Sequence, residues 1–154
     1  MDPLRQAVFH VGFWLNCVFF AAHVAGADTD ANASVTGRWQ NADATLEVFA
    51  ENGKLGARIV ALREPTAPDG QAKTDIHNPD PSKHGQPIIG LVFMSGFTPT
   101  EPGKWENGTI YDPKSGKTYS CVIERQGTDK LKVRGYVGVS LIGRTEVWTR
   151  VQGD

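Results

Sequence analysis

The chain reads as all-β: eight antiparallel strands closing into an up-and-down barrel, preceded by an N-terminal signal helix. Three observations predict it. The first is alternation with a period of two, the mark of a strand with one wet and one buried face. It is clearest at Lys130–Tyr136, where Leu131, Val133 and Gly135 alternate with Lys132, Arg134 and Tyr136. It returns at Gly143–Val151, where Thr145, Val147, Thr149 and Val151 lie opposite Arg144, Glu146, Trp148 and Arg150. The second is composition: 17 glycines and 9 prolines, with little helical periodicity after residue 30, favour short strands and turns. The third is strand number. Closing eight strands removes both edges and leaves an interior that just holds side chains or one small ligand. A two-sheet sandwich is the alternative that pattern alone leaves open.

Thr36-Gly37-Arg38-Trp39 begins the domain, which spans residues 36–152, and Asn41–Asp43 reads as a turn into the strand Ala44–Ala50. Asn52-Gly53 between apolar runs predicts a tight hairpin, because both turn residues must take positive φ, and Leu55–Leu62 returns as its partner. Residues 63–86 form a long irregular segment with four prolines. A connection of that length inside a small domain is either functional or evidence against the strand assignment, which is kept because apolar character resumes abruptly at Pro87. The nearly continuous apolar run Pro87–Met94 predicts a strand covered on both sides, followed by a Pro-rich turn at Thr98–Gly103. Lys104–Tyr111 follows with a bulge expected at Asn107-Gly108; Asp112–Gly116 is a tight turn and Lys117–Arg125 the next strand. Between the last two strands, residues 136–143 (YVGVSLIG) form an apolar turn that needs cover.

Residues 1–27 read as a signal peptide. A short n-region with one cation precedes the apolar Ala7–Ala22, and Ala25-Gly26-Ala27 fits a small-x-small cleavage site before Asp28. The apolar stretch is short and interrupted by His10 and Asn16, so no stable membrane insertion is expected after cleavage. Cleavage after Ala27 leaves 154 − 27 = 127 residues at the same net charge of −1, since Asp2 and Arg5 depart together. Residues 28–35 (DTDANASV) read as a flexible tether. Cys17 leaves with the leader, so Cys121 has no intramolecular disulfide partner; it is expected either buried or paired between chains, which leaves a homodimer open.

The near-neutral charge and the lack of a basic run argue against nucleic acid as a partner. There is no HExxH, GxSxG, phosphate-cradling glycine loop or CxxC, and no catalytic residue, metal or cofactor is assigned. His77 and His84, with Asp75 and Asp80, share the long loop at spacings that do not require a metal, and Glu106 and Asp112 read as solvated or turn-capping carboxylates. Aromatics are spread over nearly every strand, as a packed interior needs. If that interior is not filled, Phe93, Tyr119, Cys121 and Tyr136 are the candidate lining of a site for a small apolar or amphipathic ligand, with loops 63–86 and 137–142 flanking its mouth. A solid barrel would instead leave an interaction module whose loops contact an envelope partner.

Several segments together resemble a bacterial exported family, domain of unknown function 2147. They are Gly37-Arg38-Trp39, NGKLGARIV, TDIHNPDP at 74–81, Gln86–Leu91, NGTIYDPKSGKTYSC at 107–121 and LKVRGYVGVSLIGRTEVWTRV at 131–151. The resemblance covers residues 37–151 and implies a periplasmic, lipocalin-like barrel with no established activity. The family commonly has Arg where this chain has Gln86, so an anion-binding role for that position is not implied here. Gly37-x-Trp39 is also similar to the lipocalin opening motif, which implies that Trp39 plugs one barrel end beneath a late-strand cation, Arg144 or Arg150.

Overall fold

A computed structural model describes residues 31–153, so the signal helix, Cys17 and the start of the tether lie outside the described residues. Eight strands follow in order: β1 (Gly37–Gln40), β2 (Ala44–Glu51), β3 (Lys54–Leu62), β4 (Val92–Glu101), β5 (Lys104–Asp112), β6 (Lys117–Gln126), β7 (Lys130–Tyr136) and β8 (Gly143–Arg150). Each pairs antiparallel with its neighbour in sequence, and β1 pairs with β8, so the sheet closes into a barrel. The closing seam is short: Trp39 faces Arg150 and Gln40 faces Thr149.

Local chemistry sets the turns. Asn52 and Gly53 take φ values of 51° and 76°, the positive pair that a two-residue hairpin demands. Asn107 also has positive φ, and the β5–β6 register shifts between Trp105 and Gly108, which is the expected bulge. Phe97 packs where a Gly108 side chain would stand, so the bulge needs glycine for space.

Two expectations are corrected. The strand expected at Pro87–Met94 begins only at Val92 and runs on to Glu101, so the turn is confined to Pro102-Gly103. Ile88 is buried, but Ile89 and Val92 are exposed, so the run crosses over the barrel rim and is not covered on both sides. Pro99, which lacks an N–H for the ladder, sits at a register shift between Pro99 and Glu101. The tether expected over 28–35 is, from residue 31 onward, a plug in the barrel's end. Residues 31–33 are helical, Val35 is fully buried and Asn32 is 2% exposed. Asn32 accepts a hydrogen bond from Trp105 Nε1 (2.8 Å) and donates to the Gly53 carbonyl (3.0 Å). Both halves of its amide are satisfied, so it cannot behave as a surface side chain.

The interior is divided lengthwise. Toward the plug it is solid: Trp39, Trp105, Trp148, Phe97, Leu55, Leu131 and Cys121 are all 1% exposed or less. Trp39 Nε1 donates to the Val35 carbonyl at 2.8 Å, and the Arg150 guanidinium stacks 4.2 Å from the Trp39 ring centroid. Arg150 also donates to the carbonyls of Thr128, Thr36 and Ser34. The other half is open.

Candidate functional site

The open half is a cavity of about 1260 Å³. Its walls are inward side chains of the strands: Leu46 from β2, Ile59 from β3, Phe93 from β4, Ile110 from β5, Tyr119 from β6, and Val133 and Gly135 from β7. Ile88 covers one flank. Apolar walls with a few polar groups are the usual chemistry of a small-molecule site, and this volume exceeds what one small ligand needs.

The long loop makes much of the rim. Residues Arg63, Glu64, Ala67, Lys73, Ile76 and His77 line the cavity from it, while Val137 and Ile142 line it from the β7–β8 turn. Two isolated bridges, Thr66 with Ala72 and Thr74 with Pro87, fold the loop on itself, and a short 3-10 helix at Pro81–Lys83 is capped by Asp80. The loop is tied to the barrel through Asp75. That carboxylate is fully buried, accepts from the Tyr111 hydroxyl (2.7 Å) and from Asn78 Nδ2 (2.7 Å), and its backbone N–H donates to the Gln86 carbonyl. Burial, then the Asp75 bond and charge, push the Tyr111 hydroxyl up to about 12. A second tie is steric: Gly116, in the β5–β6 turn with φ of 69°, lies against the His77 backbone where no side chain would fit.

Polar groups reach the interior mainly from β8 and the β1–β2 turn. Glu146 pairs in register with Val133, and its Oε2 takes bonds from Asn41 Nδ2 (3.2 Å) and Trp148 Nε1 (3.4 Å). Asn41 is itself fixed, since its Oδ1 accepts from the N–H groups of Asp43 and Ala44. Further out, Lys114 Nζ meets Asp43 Oδ2 at 2.6 Å, and that bond holds the Asp43 carboxyl below its usual range and the Lys114 ammonium above it. Both side chains are more than half exposed, so the pair shapes the rim and adds little stability.

Three of the four residues expected to line a site, Phe93, Tyr119 and Tyr136, are brought to the cavity. Cys121 is not. It is fully buried in the solid half, and burial raises its thiol to about 12, so it is neither a lining group nor available for pairing between chains. Of the cations considered for the Trp39 end, Arg150 makes the contact. Arg144 stands at the opposite, open end with its side chain 88% exposed, 3.7 Å from Glu146. Its neighbour Gly143 begins β8 far from Trp39, so a β8 residue six positions before Arg150 cannot reach that ring.

The loop groups weighed as metal ligands do other work: Asp75 binds Tyr111, Asp80 caps the 3-10 helix, and His84 Nε2 lies 2.8 Å from the Asn78 carbonyl. Among the described residues no cluster of three His, Cys, Asp or Glu could hold a metal ion. Asp112 caps the β5–β6 turn through Lys114 N and Ser115 Oγ, whereas Glu106 pairs with Lys104 at 2.9 Å away from the cavity. Sequence reasoning missed Glu146, Asn41 and Asp75. Glu146 was legible in principle, because it alternates with Trp148 and a buried Trp148 turns Glu146 inward too. Asp75 gave no local signal, since its partner Tyr111 is 36 positions away.

Comparison with known proteins agrees with this architecture. Among curated proteins, nothing matches the chain. A solved structure from Helicobacter pylori, protein HP1028, described as belonging to the lipocalin family, superposes with a TM-score of 0.69 at 23% identity, covering 76% of this chain and 82% of that one. At that identity the likeness is one of fold. The family model for an uncharacterized protein conserved in bacteria (DUF2147) matches residues 37–150, from the first residue of β1 to the last of β8, and the chain belongs to that family.

Proposed function

We propose that the protein binds a small, partly apolar ligand inside its barrel, as a lipocalin-like carrier without catalytic activity. One observation carries the reading: half of the interior is packed with three tryptophans while the other half is an open cavity with aliphatic and aromatic walls. A barrel needing only stability would gain from filling that space, since each unfilled cavity forfeits packing contacts. The binding reading, as opposed to an enzymatic one, is supported by the chemistry of the walls. The lone described thiol is buried and lies outside them, and the described histidines, His77 and His84, belong to the loop, one lining the rim and the other bound to a loop carbonyl. Native mass spectrometry of protein isolated from its own host tests the proposal. A co-purifying small molecule of defined mass is expected; a bare polypeptide mass, with no thermal shift from any member of an amphiphile panel, would remove it.

The setting we propose is the periplasm, reached by export and removal of the leader after Ala27, on the strength of the n-region, the apolar segment and the Ala25-Gly26-Ala27 site. Fractionation and intact-mass analysis check this, and a cytoplasmic protein of full length would overturn it. A second reading has its own support. Val137, Val139, Leu141 and Ile142 in the β7–β8 turn are 59–88% exposed, an aliphatic tip of the kind that docks on a partner. In that reading the barrel presents its rim to another envelope component.

A further inference from the structure

Resting on the carrier reading, we infer that the cavity is built for a cationic amphiphile: an apolar body in the barrel and a protonated amine set against Glu146. Glu146 is the inward carboxylate of the β8 wall, one alternation above Trp148, where the solid half begins. Its two oxygens are treated differently. Oε2 is held by Asn41 Nδ2 and Trp148 Nε1, which fixes the carboxylate in place. Oε1 has only the Arg144 guanidinium at 3.7 Å, too long for a hydrogen bond, on a side chain 88% exposed to water. An oxygen with that geometry, beside a cavity with apolar walls, has acceptor capacity left for a donor that enters with the ligand.

The sign of the preferred head group follows from the surroundings. The charged residues of the cavity wall and rim are five acids (Asp43, Glu64, Asp69, Asp112, Glu146) and four bases (Arg63, Lys73, Lys114, Arg144), so 4 − 5 = −1. Three of the bases already face acids, Lys114 on Asp43, Lys73 on Glu64 and Arg144 on Glu146. The rings of Tyr119 and Phe93 line the wall and offer aromatic surface on which an ammonium also rests well. A carboxylate head at the same position would sit beside the Glu146 anion, which is 41% exposed, and like charges resist that.

Titrating decylamine, 1-decanol and decanoate, each below its micellar concentration, into the full folded protein separates the possibilities. The charge-assisted contact predicts that decylamine binds about tenfold or more tightly than decanol, with decanoate weakest. In Glu146→Gln the amine's lead disappears, and in Glu146→Lys the order reverses to favour decanoate, circular dichroism verifying that both variants fold. An order with decanoate equal to or above decylamine in the natural sequence would overturn the assignment, as would an amine preference that survives both substitutions. If none of the three probes binds, the carrier reading itself fails; if decanol binds and decylamine shows no lead, only the head-group assignment does.

Discussion

Arg150 ties its own strand to two pieces of chain distant in sequence: its guanidinium donates to carbonyls of Ser34, Thr36 and Thr128 while covering the Trp39 ring. Replacing it with alanine removes the stacked cation and leaves three carbonyls to find water at a closed barrel end. The loss expected is about 2–4 kcal/mol, read as a lower denaturant midpoint with an unchanged slope. Arg150→Lys should recover little of it, because an ammonium cannot present the same planar fork. A midpoint within about 0.5 kcal/mol of the natural protein would show the contact to be incidental. Cys121 gives a second prediction at this scale. Its thiol, fully buried and pushed up to about 12, should resist an aromatic disulfide reagent at neutral pH in the folded protein and react completely in denaturant. Rapid labelling under native conditions would mean that the solid half of the barrel opens readily.

The element whose behaviour the site depends on is the long loop between β3 and β4. It is anchored by one polar pair, buried Asp75 with half-buried Tyr111, and by the close fit of Gly116 under His77. Tyr111→Phe leaves the Asp75 carboxylate with Asn78 alone, a cost of about 1–3 kcal/mol for an under-satisfied buried acceptor, and protease sensitivity should rise within residues 63–91 before it rises elsewhere. The same pair sets an alkaline limit. The Tyr111 hydroxyl ionises near 10.0 when free and at about 12 in the fold, so the neutral, bonded form is favoured. That stability is fully present below pH 10 and is lost as pH rises through 12. Ultraviolet titration should therefore show a late tyrosine ionisation that vanishes in Tyr111→Phe. A tyrosine titration unchanged by Tyr111→Phe above pH 10 would contradict the anchor. Much of this loop's surroundings was legible in the sequence and its anchor was not. The Asn52-Gly53 hairpin, the Asn107-Gly108 bulge and the Asp112–Gly116 turn are set by residues adjacent to one another, so local chemistry predicts them. The Asp75–Tyr111 bond depends on how a loop returns to a strand end, which no period or turn rule encodes. The start of β4 was misplaced for a related reason: Ile88, Ile89 and Leu91 are apolar because they cross the rim, and a crossing segment has the composition of a strand without its ladder.

For the whole molecule, strand count and antiparallel order followed from alternation and turn spacing, closure was the expected arrangement with a sandwich left open by pattern alone, and the division into a packed half and an empty half was not legible. Tyr119 and Cys121 occupy equivalent inward positions two residues apart on β6, yet one lines the cavity and the other is fully buried in the core that also holds the tryptophans of β1, β5 and β8. Depth along the barrel axis is a property of all eight strands together. Gly135 offers a direct test of the cavity's use. A side chain there would project toward Ile110 and Tyr119, whose nearest atoms are 3.4 and 3.8 Å from a Cβ, and its backbone is not in the left-handed region. Gly135→Phe should occupy the interior, weaken binding of decanol about tenfold or more and leave the melting temperature within a few degrees. Undiminished binding would place the ligand elsewhere on the surface.

The seam between β1 and β8 has a consequence for how the molecule comes into being. Only two residue pairs join these strands, and the bonds that reinforce them link positions as much as 114 and 116 apart. Contacts of such sequence separation repay their loop-closure entropy last, so hairpins between neighbouring strands should form early and the ring should shut as the final event. Until the C-terminal ribbon is synthesised, Trp39 has no lid and the first ribbon remains an unprotected edge. The newborn chain therefore passes through an interval in which it is open to sticking or to protease attack, and that interval ends with Arg150.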